Sequence, residues 1–181
     1  MASSISPLMK IKGTPRKSTR VLTVQTNYVS KMMRCRNPFP LPDRLDAKWQ
    51  PVVSLWESLK RGEIGMPFGD DLGVTALSNL PGNPFLLSVF ASPERYRFEF
   101  VSESLGHEAL PGRFVDEIAP STNTSYLRAQ SSATIEAAEP TLFHLTDSSG
   151  YRFSRVLLPL WGNGQVNLLL GAFDNVQISC S

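Results

Sequence analysis

The stretch Tyr151-Arg152-Phe153-Ser154-Arg155-Val156-Leu157-Leu158-Pro159-Leu160-Trp161-Gly162-Asn163-Gly164-Gln165-Val166-Asn167-Leu168-Leu169-Leu170-Gly171-Ala172-Phe173 decides the fold class. Two apolar runs flank Gly162-Asn163-Gly164, which is tight-turn chemistry, so strands are expected over Tyr151–Leu160 and Gln165–Phe173. The second strand is apolar on both faces, with Val166, Leu168 and Leu170 on one and Leu169 and Phe173 on the other. Such a strand needs a cover on each side of its sheet.

Upstream, Asp147-Ser148-Ser149-Gly150 separates this hairpin from a further strand at Thr141–Thr146. Before that, Ser121 or Thr122 can N-cap a helix reaching about Ala138, which Pro140 ends. Its small residues Ala129, Ser132, Ala133 and Ala137 suit close approach to a sheet. Gly106–Pro120 is irregular and anchored by Phe114, Val115 and Ile118. Phe85–Phe90 and Arg95–Val101 are strand-like and joined by the turn Ala91-Ser92-Pro93-Glu94. The second of them alternates, with Tyr96, Phe98 and Phe100 on one face and Arg95, Arg97 and Glu99 on the other.

Gly65–Pro84 is a connector with room for a helical turn near Val74–Leu80. Val52, Leu55, Trp56 and Leu59 recur at helical spacing and predict an amphipathic helix over Pro51–Arg61, with Trp49 near its start. Pro51 suits its first turn and Gly62 the position past its end. The three prolines of Asn37-Pro38-Phe39-Pro40-Leu41-Pro42 force an extended path and mark a boundary. The expected organisation is a basic tail over residues 1–45, one domain over 46–175 and a short C-terminal tail over 176–181.

Composition narrows the function classes. An apolar share of 41% fits a folded globular domain. No stretch approaches the roughly 20 apolar residues that span a bilayer. Residues 1–45 carry nine Lys/Arg against Asp43 alone, a net of +8, while the rest of the chain is acidic. Such a tail can bind phosphate or anionic lipid, or stay a solvated leader, and its first 28 residues also have transit-peptide composition. A second reading starts the protein at Met32 or Met33. Cys35 and Cys180 make neither a disulfide framework nor a metal site, consistent with a reducing cytoplasm.

The order helix, two strands, helical insert, three strands is that of a PAS domain, and the local words resemble a bacterial family of small single-PAS proteins. The similarity runs from about Lys48 to Asp174. It rests on Trp56-Glu57-Ser58-Leu59-Lys60-Arg61-Gly62, Arg95-Tyr96-Arg97-Phe98, Gly112-Arg113-Phe114-Val115-Asp116-Glu117, Tyr126-Leu127, Arg155-Val156-Leu157-Leu158-Pro159-Leu160 and Leu168-Leu169-Leu170-Gly171-Ala172. The segment between the second strand and Gly112 is shorter than the family's. The resemblance implies an α+β fold, with a PAS-like five-stranded antiparallel sheet, a helical segment on one face and the N-terminal amphipathic helix on the other. It also implies sensing or protein interaction, with the ligand undefined.

The candidate cavity lining is Phe98, Phe100, Phe114, Ile118, Tyr126, Ile135, Phe143, Leu158 and Leu168. These side chains either enclose a small apolar ligand or simply pack one another as core. Haem requires an axial ligand, usually His. His107 reads as a solvated loop residue, and His144 has the opposite parity to Phe143 and Leu145. No cofactor is therefore expected, haem or a small metabolite being the alternatives such a fold accommodates. A flavin adduct needs a cysteine in the helical segment, which has none. Asp70-Asp71 and Asp116-Glu117 are adjacent acids, which point in different directions and do not make a catalytic carboxylate pair. Nucleophile-elbow and phosphate-loop motifs are missing too, so the chain is not expected to be an enzyme.

The resulting expectation is a cytoplasmic, stand-alone PAS-type sensory or signalling module acting through a protein partner or as a homodimer. Trp49, Val53 and Trp56 are its expected interface. The alternative is a nucleic-acid or anionic-surface binding protein working through the basic tail.

Overall fold

The computed structural model describes residues 37–62, 65–102, 110–119, 121, 123–146, 148, 150 and 152–176. Most of the basic tail, His107, Cys35 and Cys180 lie outside the described residues. The elements, numbered in chain order, are α1 (Gln50–Ser58), α2 (Val74–Ser78), β1 (Pro84–Ala91), β2 (Glu94–Val101), α3 (Leu127–Ala137), β3 (Thr141–Thr146), β4 (Arg152–Gly162) and β5 (Gln165–Val176). Short 3-10 turns stand at Ala47–Trp49, Gly69–Asp71 and Val115–Glu117.

The five strands form one sheet in the order β2-β1-β5-β4-β3, every neighbouring pair antiparallel. With its helical insert between β2 and β3, this is a PAS-like α+β fold. The β4–β5 hairpin turns at Asn163 and Gly164, both at positive φ (53° and 82°), the conformation that a two-residue hairpin favours. Each edge of the sheet is met by an isolated bridge. Pro40 bridges Thr141 on β3, and Phe114 bridges Arg97 on β2. Such bridges shorten the exposed ladder through which sheets aggregate.

Cross-strand partners share a face of the sheet, so the register assigns the faces. The inner face carries Phe85, Leu87, Tyr96, Phe98, Thr141, Phe143, Phe153, Arg155, Leu157, Leu169, Gly171 and Phe173. Helix α3 lies on it, tied by Gln130 to Thr141 and Arg155. The outer face carries Leu86, Leu142, Val156, Leu158, Leu160, Leu168, Leu170, Ala172 and Asp174. It is covered from α1 and the segment that follows. Lys48 Nζ reaches Asp174 at 2.5 Å, Trp56 Nε1 donates to the Pro159 carbonyl at 2.7 Å, and the Trp161 amide donates to Pro67 O at 2.8 Å. The expected arrangement of a helical segment on one face and an N-terminal helix on the other is the observed one.

Several boundaries differ from the sequence reading, each for a local reason. Helix α1 stops at Ser58 rather than Arg61, because Lys60 already bridges Pro67 as the chain turns back. Helix α3 starts at Leu127 rather than near Ser121. The Ser121 carbonyl instead accepts from the Thr124 and Ser125 amides in a separate turn, and Tyr126 then breaks the path at φ 56°. Its buried face is Leu127, Gln130, Ser131 and Thr134, not the small residues expected there. Strand β5 runs to Val176 instead of Phe173. Phe39, Leu41 and Leu45, assigned to the tail by sequence, pack against the core.

Trp49 and Trp56 are 1% and 3% exposed and belong to the core; Val53 is partly buried. The two tryptophans therefore do not form an interface, which corrects that expectation. Val52 and Trp56 of α1 and Trp49 of the preceding turn are taken up by the chain's own core, while Leu55 and Leu59 stay partly exposed. No helix among the described residues is long and apolar enough to cross a membrane.

Candidate functional site

The nine residues expected to line one cavity are divided by the sheet. Phe98 and Phe143 are buried on the inner face, where Ile135 of α3 also packs. Leu158 and Leu168 stand on the outer face, since they oppose Leu170 and Leu160. Phe100 also leaves the inner face. The β1–β2 register shifts between Leu86 and Leu87, so Leu86 opposes Phe100 but Leu87 opposes Phe98. Glu99 is thus an extra residue that flips everything beyond it. Phe114 bridges Arg97 at the β2 edge and packs tilted against Phe90, Ile118 is partly buried, and Tyr126 is 64% exposed.

Of the two readings open for these side chains, ligand cavity or packed core, the inner face shows packing by its own side chains. Phe85 stacks on Phe173 at 4.3 Å, Phe153 lies 5.8 Å from Phe173, and Phe143 lies 6.1 Å from Phe153. A recess of about 160 Å³ opens at the margin, lined by Val89, Ala91, Glu94, Ser132, Ile135, Glu136, Gln165 and Val166. Of the nine expected residues it includes Ile135 alone. Beside it, burial, with Glu94 accepting the phenol's hydrogen bond, pushes the Tyr96 hydroxyl well above its usual ionisation range.

The inner face has a polar centre that sequence reading missed. Arg155 of β4 is 0% exposed. Its Nε donates to Gln130 Oε1 at 2.7 Å, Nη1 to Asn123 O at 2.7 Å and Nη2 to Ser125 O at 3.1 Å. The rings of Phe143, Phe153 and Phe173 surround the guanidinium carbon at 5.1, 5.7 and 5.8 Å. Among the described residues no carboxylate forms an ion pair with it, and burial pulls its pKa down to about 9, leaving it charged at neutral pH. Gln130 Nε2 also donates to Thr141 Oγ1 (3.1 Å) and Arg155 O (3.2 Å), while Thr134 Oγ1 donates to Gln130 O and shares a 2.7 Å bond with Thr141 Oγ1. The signal in the sequence was a lone cation of inward parity, between Phe153 and Leu157 in an apolar strand.

A second cluster sits on the outer face of the β1–β2 hairpin. Phe90 is 38% exposed and lies 5.4 Å from the Phe114 ring. Arg95 stacks on Phe114 at 3.7 Å and Arg97 on Phe90 at 5.1 Å. Arg95 pairs with Asp116 (3.0 Å) and Glu117 (2.7 Å), and Arg97 with Glu99 (2.6 Å). Arg95 holds both the Asp116 and Glu117 carboxyls below their usual range. His144 faces outward on β3, where partial burial and the nearby Lys48 lower its pKa. The described residues contain no cluster of three or more potential metal ligands.

No family model and no curated protein matches the chain. Among solved structures it is similar to the PAS domain of an HTR-like protein from Haloarcula marismortui, at 15% identity and a TM-score of 0.36, covering 55% of this chain and 85% of that one.

Proposed function

We propose that this chain is a non-enzymatic sensory or signalling module of PAS type, working in the cytoplasm through protein contact with a second copy of itself. The observation that carries this reading is the filled inner face. Its aromatic side chains meet one another instead of enclosing a chamber, which favours a surface as the working part of the molecule.

The outer β1–β2 cluster supports self-association. Exposed phenylalanine beside arginine is the composition of interface hot spots. The same patch holds Arg95 and Arg97 together with Glu99, Asp116 and Glu117, so a two-fold apposition places the bases of one copy against the acids of the other. Native mass spectrometry of the purified protein tests the reading. A dimer of twice the chain mass with no added ligand mass is expected. A monomer that retains a tightly held small molecule would overturn it.

A further inference from the structure

Phe90 and Tyr126 are the large apolar side chains left exposed among the described residues, and the outer β1–β2 contact uses only Phe90. Tyr126 holds a left-handed backbone (φ 56°), which bulky residues keep only under constraint. Its ring lies 5.6 Å from Phe143 of β3, and Phe39 meets the same ring edge-on at 5.9 Å. Leu145, of the same parity as Phe143, is partly buried. An apolar ledge therefore borders β3, the last strand of the sheet.

The outer edge of that strand is only half used. The Leu142 amide donates to Phe39 O at 3.0 Å, and Pro40 bridges Thr141. The backbone bends at Pro38–Phe39, where Asn37 Oδ1 accepts from the Phe39 amide at 2.9 Å. Because Leu142 turns its N–H outward, strand alternation turns the N–H and C=O groups of His144 and Thr146 outward as well. Among the described residues, nothing bonds to those groups.

Charge narrows what fits there. On the outer face Thr146 opposes Arg152, and His144 opposes Ser154, which opposes Asp174. Lys48 answers Asp174 and Asp46, at 2.5 and 3.5 Å. Arg152 is exposed, and among the described residues no carboxylate pairs with it. A strand added beside β3 continues the cross-strand row from Arg152 through Thr146, so its side chain at that position meets a cation.

We propose that the His144–Thr146 edge takes an extended acidic segment of a partner protein by strand addition. Apolar side chains of the segment rest on Phe143, Leu145 and Tyr126, and its carboxylates turn toward Arg152. Main-chain bonds give the pairing, while the ledge and the cation select the sequence. Strands β3 and β2 are opposite edges of the sheet, so this contact and the β1–β2 contact do not compete, and neither depends on the other.

The full chain is titrated with a capped peptide alternating glutamate and valine, with glutamate at both ends. Two-dimensional amide NMR follows His144 and Thr146. One control peptide carries lysine in place of glutamate; the other is N-methylated at every glutamate. The glutamate peptide should shift both amides saturably and slow their hydrogen exchange, while the lysine peptide leaves them in place. N-methylation should weaken binding at least about tenfold, the factor that one lost hydrogen bond gives. Arg152→Glu should reverse the preference between the two charged peptides. Tyr126→Gly should weaken binding in a protein that still folds, since glycine adopts the left-handed backbone readily. No saturable shift from the glutamate peptide, an equal response to either control, an unreversed preference in Arg152→Glu, or full affinity in Tyr126→Gly would each overturn the proposal. None of these outcomes bears on self-association, which light scattering measures separately.

Discussion

The ring of Phe85 lies directly over Gly171. A Cβ built on that glycine would stand 2.0 Å from Phe85 Cζ, and the same ring stacks on Phe173 at 4.3 Å. Side-chain absence at one residue of β5 therefore allows an aromatic of β1 to cross the sheet's inner face and fill it. Gly171→Ala should destabilise the fold by ~3 kcal/mol, the upper end of ordinary overpacking, because the neighbours leave Phe85 little room to move. Denaturant unfolding measures it. Adding Phe85→Leu to Gly171→Ala should recover part of the loss, since the two sites touch and their effects will not add.

The indole of Trp56 carries both packing and a hydrogen bond to Pro159 O. Trp56→Ala should lower stability by ~3–5 kcal/mol. Trp56→Phe should lose less, retaining most of the apolar contact while leaving the Pro159 carbonyl without its donor. Trp49→Glu should unfold the domain, as expected for a charge forced into a site 1% exposed. A folded Trp49→Glu protein with a changed oligomeric state would instead restore α1 as the interface. Circular dichroism with size-exclusion chromatography separates these outcomes.

Much of the architecture was legible because periodicity reports burial. The two-sided apolar strand around Leu168–Phe173 and the stripe Val52, Leu55, Trp56 and Leu59 both announced what they pack against. The site was less legible. Strict alternation through Tyr96, Phe98 and Phe100 hid the bulge at Glu99, because register depends on the partner strand as well as the strand itself. Helix α3 misled for another reason. Gln130, Ser131 and Thr134 look like a solvated face, yet they point inward because Arg155 and Thr141 meet them there. Polar pairing across long sequence separation leaves no local pattern to read.

Tyr96 sets an alkaline limit on stability. Its phenol is raised above its ordinary 10.0 in the fold, first by burial and then by its bond to Glu94. The unfolded chain releases that proton at lower pH than the folded one, so the contribution is complete below pH 10 and is lost as pH rises above it. Urea midpoints should fall between pH 9.5 and 11, and Tyr96→Phe should flatten that fall. An equal decline in both proteins would place its cause elsewhere.

The outer pairs of Arg95 should respond to acid in the opposite sense. The Asp116 and Glu117 carboxyls are lowered chiefly by their hydrogen bonds to Arg95, so the pairing is present at neutral pH and lost as pH falls through their depressed values. Arg95→Met should return both carboxyls toward ordinary values in an NMR titration. Unchanged titration would show that the pairs do not form in solution.

The central claim, a contact module working through the Phe90–Phe114 surface, is tested most directly by light scattering of wild type and Phe90→Glu at high micromolar concentration. Phe90 is already 38% exposed, so the charge is tolerated in the monomer and disfavoured only when a second copy covers it. The wild type should scatter as a dimer and Phe90→Glu as a folded monomer, with thermal midpoints measured in dilute solution unchanged. A wild type that is monomeric at the highest concentration, or a Phe90→Glu protein that remains dimeric, would contradict it.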